Sequence, residues 1–111
     1  MSAYNTVVLP ADEQCPHCGS VIRRRVQFKD GDTRQHDYAV GDRLSWGGND
    51  IGRPATLVKV LGYPEDCPVC GQDLGGVFDV IVRSNVIEDV VPGSTQPYIE
   101  ADNASYLVAE P

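Results

Sequence analysis

Four cysteines in two close pairs are the residues of this 111-residue sequence whose types and spacing could do chemistry. Residues 15–19 and 67–71 repeat one five-residue pattern, C-P-x-C-G. Two residues between the cysteines let one tight turn aim both sulfurs at a single point, while proline presets the backbone and glycine takes a left-handed conformation. Each motif is therefore half of a tetrahedral metal site. The predicted ligands are Cys15, Cys18, Cys67 and Cys70.

The donor set is typical of zinc, and we predict one zinc ion per chain. Iron would also suit tetrahedral sulfur ligands, but nothing else in the sequence indicates electron transfer. Zinc held by four thiolates has no open position, so the site is expected to be structural and unable to activate water. Two disulfides would suit a secreted chain, yet residues 1–14 lack the pattern of a signal peptide, and a redox C-x-x-C would require a βαβ pattern.

Each motif lies where a hairpin is expected to turn. Predicted strands 4–9 and 21–29 flank the first motif, and strands 55–63 and 77–83 flank the second. In this arrangement the sequence resembles zinc ribbons and rubredoxin-like proteins, in which two C-P-x-C-G knuckles at the tips of two hairpins hold one metal ion. The resemblance covers the knuckles and their flanking strands, and it implies the same four ligands. The 48-residue spacer between the knuckles is longer than in compact ribbons.

Arg24 and the two histidines each need a separate interpretation. Arg24 could offset the site's negative charge, about −2 by ion counting, or could simply cover apolar surface. His17 occupies the variable position of its knuckle and is expected to face solvent rather than the metal. His36, between two polar neighbours, is typical of a surface histidine.

The pattern of short β-branched apolar runs, interrupted by 11 glycines and 8 prolines, favours strands over helices. We predict one all-β domain over residues 1–111, built as a small antiparallel sheet or barrel-like domain with two knuckle-tipped hairpins. The segment 86–91 would also fit one turn of helix. The predicted strands are 4–9, 21–29, 34–40, 42–46, 55–63, 77–83, 86–91 and 104–109.

Strand 21–29 has the clearest alternation. One face carries Ile22, Val26 and Phe28 with Arg24, and the other carries basic side chains. This second face forms a stripe that could contact nucleic acid, or could be a solvated face matched by acidic residues of the same chain. Its basic residues are Arg23, Arg25 and Lys29, with Arg34 nearby.

The loop 46–54 contains three glycines and has no strand pattern. It lacks the Gly-Lys-Ser/Thr of a phosphate-binding loop and the spacing of a dinucleotide fingerprint. The favoured interpretation is a tight loop in which Trp46 fills part of a small core. The alternative is a patch that binds a partner protein through Trp46, Asn49, Asp50 and Arg53.

The net charge of −7 is unevenly distributed. Up to Lys59 there are eight basic and seven acidic residues, whereas from Val60 onward Arg83 alone faces nine acidic residues, including Glu88 and Asp89. An acidic half of this kind could meet a basic partner and would repel phosphate polymers. The sequence therefore favours a zinc-stabilised module that binds another protein, for example a small acidic inhibitor or immunity-type protein.

Two other functions remain open at this point. A zinc ribbon that binds nucleic acid would use the basic stripe, and a rubredoxin-like iron carrier would use the four sulfurs. No nucleophile and base, or pair of carboxylates, is arranged as an enzyme would require. No apolar run is long enough to span a membrane, and we expect a cytoplasmic protein.

Overall fold

The computed structural model describes residues 4–33, 35–47, 50–51, 55–101 and 106–110, without the side chains of residues 32, 50 and 51. These residues form eleven strands and one short helix. The strands are β1 (Asn5–Val8), β2 (Glu13–Gln14), β3 (Val21–Ile22), β4 (Arg25–Phe28), β5 (Gly31–Asp32), β6 (Asp37–Tyr38), β7 (Asp50–Ile51), β8 (Leu57–Pro64), β9 (Val77–Arg83), β10 (Val86–Gly93) and β11 (Tyr106–Glu110), and the helix is α1 (Gln96–Glu100).

Seven strands form one sheet in the order β10-β9-β8-β4-β1-β6, with β11 paired to β8 beside this path. The pairs β2-β3 and β5-β7 are separate two-stranded sheets. The all-β prediction is confirmed. The sheet is mixed rather than purely antiparallel, because β6 runs parallel to β1.

The sheet curls into a half-barrel because the chain after β6 returns to the far strand, β10. The amide of Gly41 donates to the carbonyl of Ile87 at 2.7 Å, and the amide of Ile87 donates to Asp42 at 2.9 Å. These bonds bring the two ends of the strand order together around one core. The buried members of this main core are Val7, Leu9, Val26, Phe28, Tyr38, Leu44, Val58, Val60, Val80, Val82, Ile87 and Val90.

The alternation predicted for 21–29 is confirmed by burial. Ile22, Arg24, Val26 and Phe28 are buried, whereas the basic side chains of the other face are exposed or half-buried. The predicted single strand is nevertheless two strands, β3 and β4, because residues 23 and 24 leave the ladder between them. This break lets β3 pair with β2 while β4 pairs with β1.

Two other strand predictions differ from the structure. Predicted strand 34–40 is reduced to β6, and 42–46 contributes only an isolated bridge from Arg43 to Val86. The strand predicted for 86–91 is confirmed as part of β10, and the alternative of one helical turn is wrong. A bulge between Ile87 and Asp89 turns both Ile87 and Val90 toward the core, which explains their helix-like spacing of three.

The sequence signals did not predict α1. Its Tyr98 is 2% exposed and donates a hydrogen bond from its hydroxyl to Asp79 Oδ1 at 2.8 Å, which fastens the helix to β9. Burial and this hydrogen bond raise the pKa of Tyr98. Within the described part of the chain, no helix has the length and apolar character needed to cross a membrane.

Candidate metal centre

The first knuckle is a tight turn that connects β2 to β3. The amide of Cys15 donates to the carbonyl of Ser20, and the amide of Gly19 donates to the carbonyl of Cys15, both at 2.9 Å. The amide of Cys18 lies 3.5 Å from Cys15 Sγ, as a donor to a thiolate would. Gly19 has a φ of 74°, the left-handed conformation predicted for this position.

The second knuckle repeats this geometry in the connection from β8 to β9. The amide of Cys67 donates to Gln72 at 3.0 Å, and Gly71 donates to Cys67 at 2.9 Å. The amide of Cys70 lies 3.5 Å from Cys67 Sγ, and Gly71 has a φ of 73°. The same five residue types therefore fold into the same turn on two different hairpins.

The four sulfurs converge on one point. All four lie within 4.8 Å of one another, with Cys15 Sγ 3.8 Å from Cys70 Sγ and Cys18 Sγ 3.9 Å from Cys67 Sγ. A tetrahedral ion with sulfur ligands at about 2.3 Å places neighbouring sulfurs about 3.8 Å apart. The four cysteines are thus positioned to bind one metal ion, and all are free thiols.

The repeat is longer than the five-residue motif suggests. Glu13 and Glu65 each lie two residues before the first cysteine of a knuckle, and Ile22 and Leu74 each lie seven residues after it. Ile22 forms a second, small core with Cys15 and Cys67, and Leu74 packs against this core. Aligning 13–22 with 65–74 would have identified these residues from the sequence.

The two glutamates contact consecutive arginines of one segment. Arg24 is 6% exposed and donates to both carboxylate oxygens of Glu13, at 2.5 and 3.2 Å. Arg25 donates to Glu65 at 3.3 Å and is about half-exposed. Glu13 is therefore the direct partner of Arg24, whose Nη1 is buried without a hydrogen-bond partner among the described residues, and the offset of the sulfur charge by Arg24 stays a prediction. Through these two ion pairs, residues 24 and 25 contact the segments that carry both knuckles.

Burial divides the four cysteines into two classes. The first cysteine of each knuckle is buried, Cys15 at 1% and Cys67 at 2% exposure, whereas Cys18 and Cys70 are exposed. The buried pair belongs to the small core and the exposed pair lies at the surface. All four ligand positions come from this chain, an arrangement that matches closed structural sites.

The environments of Cys18, Cys67 and Cys70 favour a bound cation. Hydrogen bonds from the backbone and side chain of Ser20 lower the pKa of Cys18 to about 6, and backbone amides, Cys70 first, lower that of Cys67. For Cys70 the amide of Gln72 acts in the same direction, but desolvation and the neighbouring thiols outweigh it and raise the pKa to about 11. Like charges in one site cannot all be stabilised by amides, so a bound cation would favour the thiolate form of Cys70.

The histidine predictions have different outcomes. His17 is exposed, as predicted for the variable knuckle position, and the metal-ligating cluster among the described residues consists of cysteines alone. His36 is half-buried rather than a surface residue. Its ring centroid lies 5.7 Å from that of Tyr38, and its amide donates to Asn5 Oδ1.

The basic stripe is largely neutralised within the chain. Arg23 pairs with Asp12 at 2.9 Å, and Arg25 contacts both Glu65 and Asp37, at 3.3 and 3.5 Å. These partners belong to the surrounding loops and strands, and only Glu65 comes from the acidic half. Arg34 lies outside the described residues.

The structure describes some of the residues of the predicted partner-binding patch. Trp46 is half-buried and donates its indole N–H to Asn85 Oδ1 at 3.1 Å, which places it against the turn between β9 and β10. Asn49 and Arg53 lie outside the described residues. Asp50 lies in β7, where its backbone pairs with that of Asp32 in β5, and the side chain of Asp50 is not described.

Glu88 and Asp89 are both exposed because the β10 bulge turns them away from the core together. Glu88 accepts a hydrogen bond from Arg83 at 2.6 Å, and Asp89 Oδ1 accepts one from the amide of Val90 at 2.8 Å. The second bond satisfies a donor that an unpaired sheet edge would otherwise expose. Glu88 and Asp89 therefore lie on the β9-β10 hairpin, and Trp46 contacts the turn of that hairpin.

A buried acid was missed by the sequence reasoning. Asp30 is 1% exposed, and neither carboxyl oxygen has a hydrogen-bond partner among the described residues. Desolvation raises the pKa of Asp30 to about 7, and the nearby amide of Gly31 opposes this only in part. Its position between Lys29 and a glycine is typical of a surface turn, so no local signal indicates its burial.

No protein family, curated protein or solved structure matches the chain significantly. The function of the site is therefore argued from its own geometry.

Proposed function

We propose that this chain is a zinc-stabilised β module that binds a basic partner protein. The observation that carries the metal assignment is the convergence of four sulfurs at tetrahedral spacing from two congruent knuckles. Four thiolates suit both metals, and we prefer zinc to iron because nothing else in the sequence indicates electron transfer. Such an ion would hold two hairpins together and would not activate water.

Charge supports a protein partner over nucleic acid. Arg23 and Arg25 already have carboxylate partners, so a phosphate backbone would have to displace them. In contrast, Asp66, Asp73 and Glu100 are exposed and belong to the half with a single arginine. A small acidic inhibitor that covers a basic surface, as immunity proteins do, is the activity that fits these charges.

The β9-β10 hairpin is the proposed contact surface. It presents Glu88 and Asp89, and Trp46 packs at its turn. An aromatic side chain next to carboxylates can anchor a partner while the charges accelerate encounter. Asn49, Asp50 and Arg53, which follow Trp46 in the sequence, belong to the same proposed patch.

Elemental analysis tests the metal assignment. Purified chain is expected to contain about one zinc per molecule, given one four-thiolate site. Visible absorption distinguishes zinc from the alternative metal, iron, because ferric sulfur sites are coloured and zinc sites are not. Two metals per chain, or none in freshly reduced protein, would contradict the proposal.

Capture at two salt concentrations tests the partner. Immobilised chain is expected to retain a basic protein from the source cell extract at about 50 mM salt and to release it near 500 mM. E88K/D89K should lose this retention, whereas the equally charged control D73K/E100K, at exposed positions outside the hairpin, should keep most of it. Equal loss in both variants would show that only net charge matters and would contradict the hairpin surface.

A gel shift tests the alternative function, which is nucleic-acid binding. Duplex DNA and single-stranded RNA at about 50 mM salt are expected to show no binding. Clear binding that R23A/R25A abolishes would replace the protein-binding proposal with a nucleic-acid-binding zinc ribbon.

A further inference from the structure

The difference in burial between the two cysteines of each knuckle has a chemical consequence. Cys18 and Cys70 are exposed, while Cys15 and Cys67 are 1% and 2% exposed. A small oxidant in solvent can reach the first pair directly and the second pair only through the small core. Since all four sulfurs are thiolates when they bind one metal ion, exposure determines which cysteine a solvent oxidant reaches first.

The sulfurs of the two knuckles are also paired across the site. The exposed Cys18 lies 3.9 Å from the buried Cys67, and the exposed Cys70 lies 3.8 Å from the buried Cys15. A disulfide requires a sulfur separation near 2.05 Å, so each pair must approach by about 2 Å. Each exposed sulfur therefore has a protected partner on the opposite knuckle.

We propose that Cys18 and Cys70 are the sites at which a hydroperoxide oxidises this centre, and that the buried cysteine of the opposite knuckle completes a disulfide with each. The inference rests on the proposed metal centre and adds a modification to it. It makes metal retention by this chain sensitive to peroxide.

The reaction balances with hydrogen peroxide as the oxidant. The Cys18 thiolate attacks one peroxide oxygen, the O–O bond breaks, and the departing hydroxide takes a proton to form water. The Cys67 thiolate then attacks the sulfenic sulfur, an S–S bond replaces the S–O bond, and a second hydroxide leaves as water. Two sulfurs lose two electrons, the peroxide gains them, and the site loses two of its four donors.

A disulfide between Cys18 and Cys67 would join the same two hairpins that the metal joins. It would close the 48-residue segment between the knuckles and so restrict the unfolded chain. Oxidised chain without metal is therefore expected to keep its fold better than reduced chain without metal. Oxidation would exchange one cross-link for another.

The test begins with zinc-loaded full-length chain treated with hydrogen peroxide at low conversion. A sulfenic-acid trap such as dimedone is expected to label Cys18 and Cys70 at least tenfold more than Cys15 and Cys67. Without the trap, non-reducing peptide mapping should find the disulfides Cys18–Cys67 and Cys15–Cys70, with zinc released as they form. Even labelling, or disulfides within each knuckle, would overturn the proposal.

Histidine variants provide the second measurement. C18H/C70H keeps four nitrogen or sulfur donors and is expected to release zinc to peroxide at least tenfold more slowly. The matched control C15H/C67H should retain the sensitivity of its exposed thiolates. Equal release from wild type and C18H/C70H would overturn the proposal. If either variant fails to bind zinc, labelling of the wild-type chain decides the question.

Failure of the inference differs from failure of the metal assignment. Chain that contains no zinc before treatment contradicts the proposed function itself. Chain that contains one zinc and is labelled evenly contradicts only the assignment of Cys18 and Cys70.

Discussion

The two knuckles have the same turn but very different support. The first connects β2 and β3, which are two residues each and lie outside the main sheet. The second connects β8 and β9, which are eight and seven residues long and pair along the centre of that sheet. The chain therefore presents one half-site on a rigid support and the other on a minimal hairpin.

This difference suggests unequal dependence on the metal. Isolated short hairpins are marginal in water, so β2-β3 needs other contacts to persist. It has the ion pair between Glu13 and Arg24, the packing of Ile22 and the shared metal site. The second knuckle would keep most of its backbone hydrogen bonds without any of these.

Metal removal is expected to have the largest effect on the difference between the two knuckles. A strong chelator should raise amide exchange across residues 12–22 far more than across β8 and β9, and should lower the melting temperature by roughly 10 °C or more. Hydrogen exchange read by mass spectrometry locates the change. Equal exposure of both hairpins would show that the second knuckle is no better supported.

Cysteine variants provide the matching control for chelation. Cys15→Ser and Cys67→Ser should destabilise the chain similarly, because either change removes one donor from the same shared site. A variant that melted like wild type would show that the centre is dispensable to the fold.

The next largest effect should come from the glutamate of the first knuckle. Glu13→Gln leaves the buried guanidinium of Arg24 without a charged partner and should cost about 2–3 kcal/mol. The matched change Glu65→Gln should cost less than about 1 kcal/mol, because Arg25 is half-exposed and also contacts Asp37. Urea unfolding measures both, and equal costs would remove this distinction between the knuckles.

Asp30 should contribute a pH effect opposite in sign to that of the metal-binding thiols, whose affinity for a metal rises with pH. The pKa of Asp30 is about 7 in the fold and near 4 when unfolded, so the folded chain holds this proton more tightly between these values. The contribution of Asp30 to the free energy of unfolding should therefore fall as pH rises from 5 to 8, by on the order of 2 kcal/mol. Above that range this contribution should be level.

Asp30→Asn isolates this contribution from those of the two histidines. The variant should lack most of the fall between pH 5 and 8 and should be more stable than wild type at pH 8. Thermal melts across the range provide the measurement. An unchanged slope in the variant would mean that another group is responsible.

The smallest expected effect concerns the two knuckle glycines. Gly19 and Gly71 have positive φ, and a Cβ added at either would meet no atom within 4 Å. Alanine should therefore cost only the left-handed backbone, about 1 kcal/mol at each position. A larger loss for Gly19→Ala in a denaturant series would show that the weaker hairpin also tolerates strain less well.

Local sequence determined the features that depend on neighbouring residues. The turn of each knuckle follows from proline, glycine and the two-residue spacing of its cysteines, and the burial pattern of 21–29 follows from alternation. The all-β class and the four sulfur ligands were predictable for the same reason. The longer repeat, with Glu13 matching Glu65 and Ile22 matching Leu74, was present in the sequence but was not recognised.

Tertiary structure decided the features that depend on distant partners. Arg23 and Arg25 look like a basic stripe until folding brings Asp12, Asp37 and Glu65 beside them. Asp30 resembles a surface turn residue until the surrounding chain covers it.

The small helix and the β10 bulge are further examples of this dependence. Tyr98 packs because Asp79, 19 residues earlier, accepts its hydroxyl hydrogen. Ile87 and Val90 share the core because β10 pairs with β9 through an extra residue. In each case the free energy comes from a contact that the neighbouring sequence does not contain, so no local pattern could indicate it.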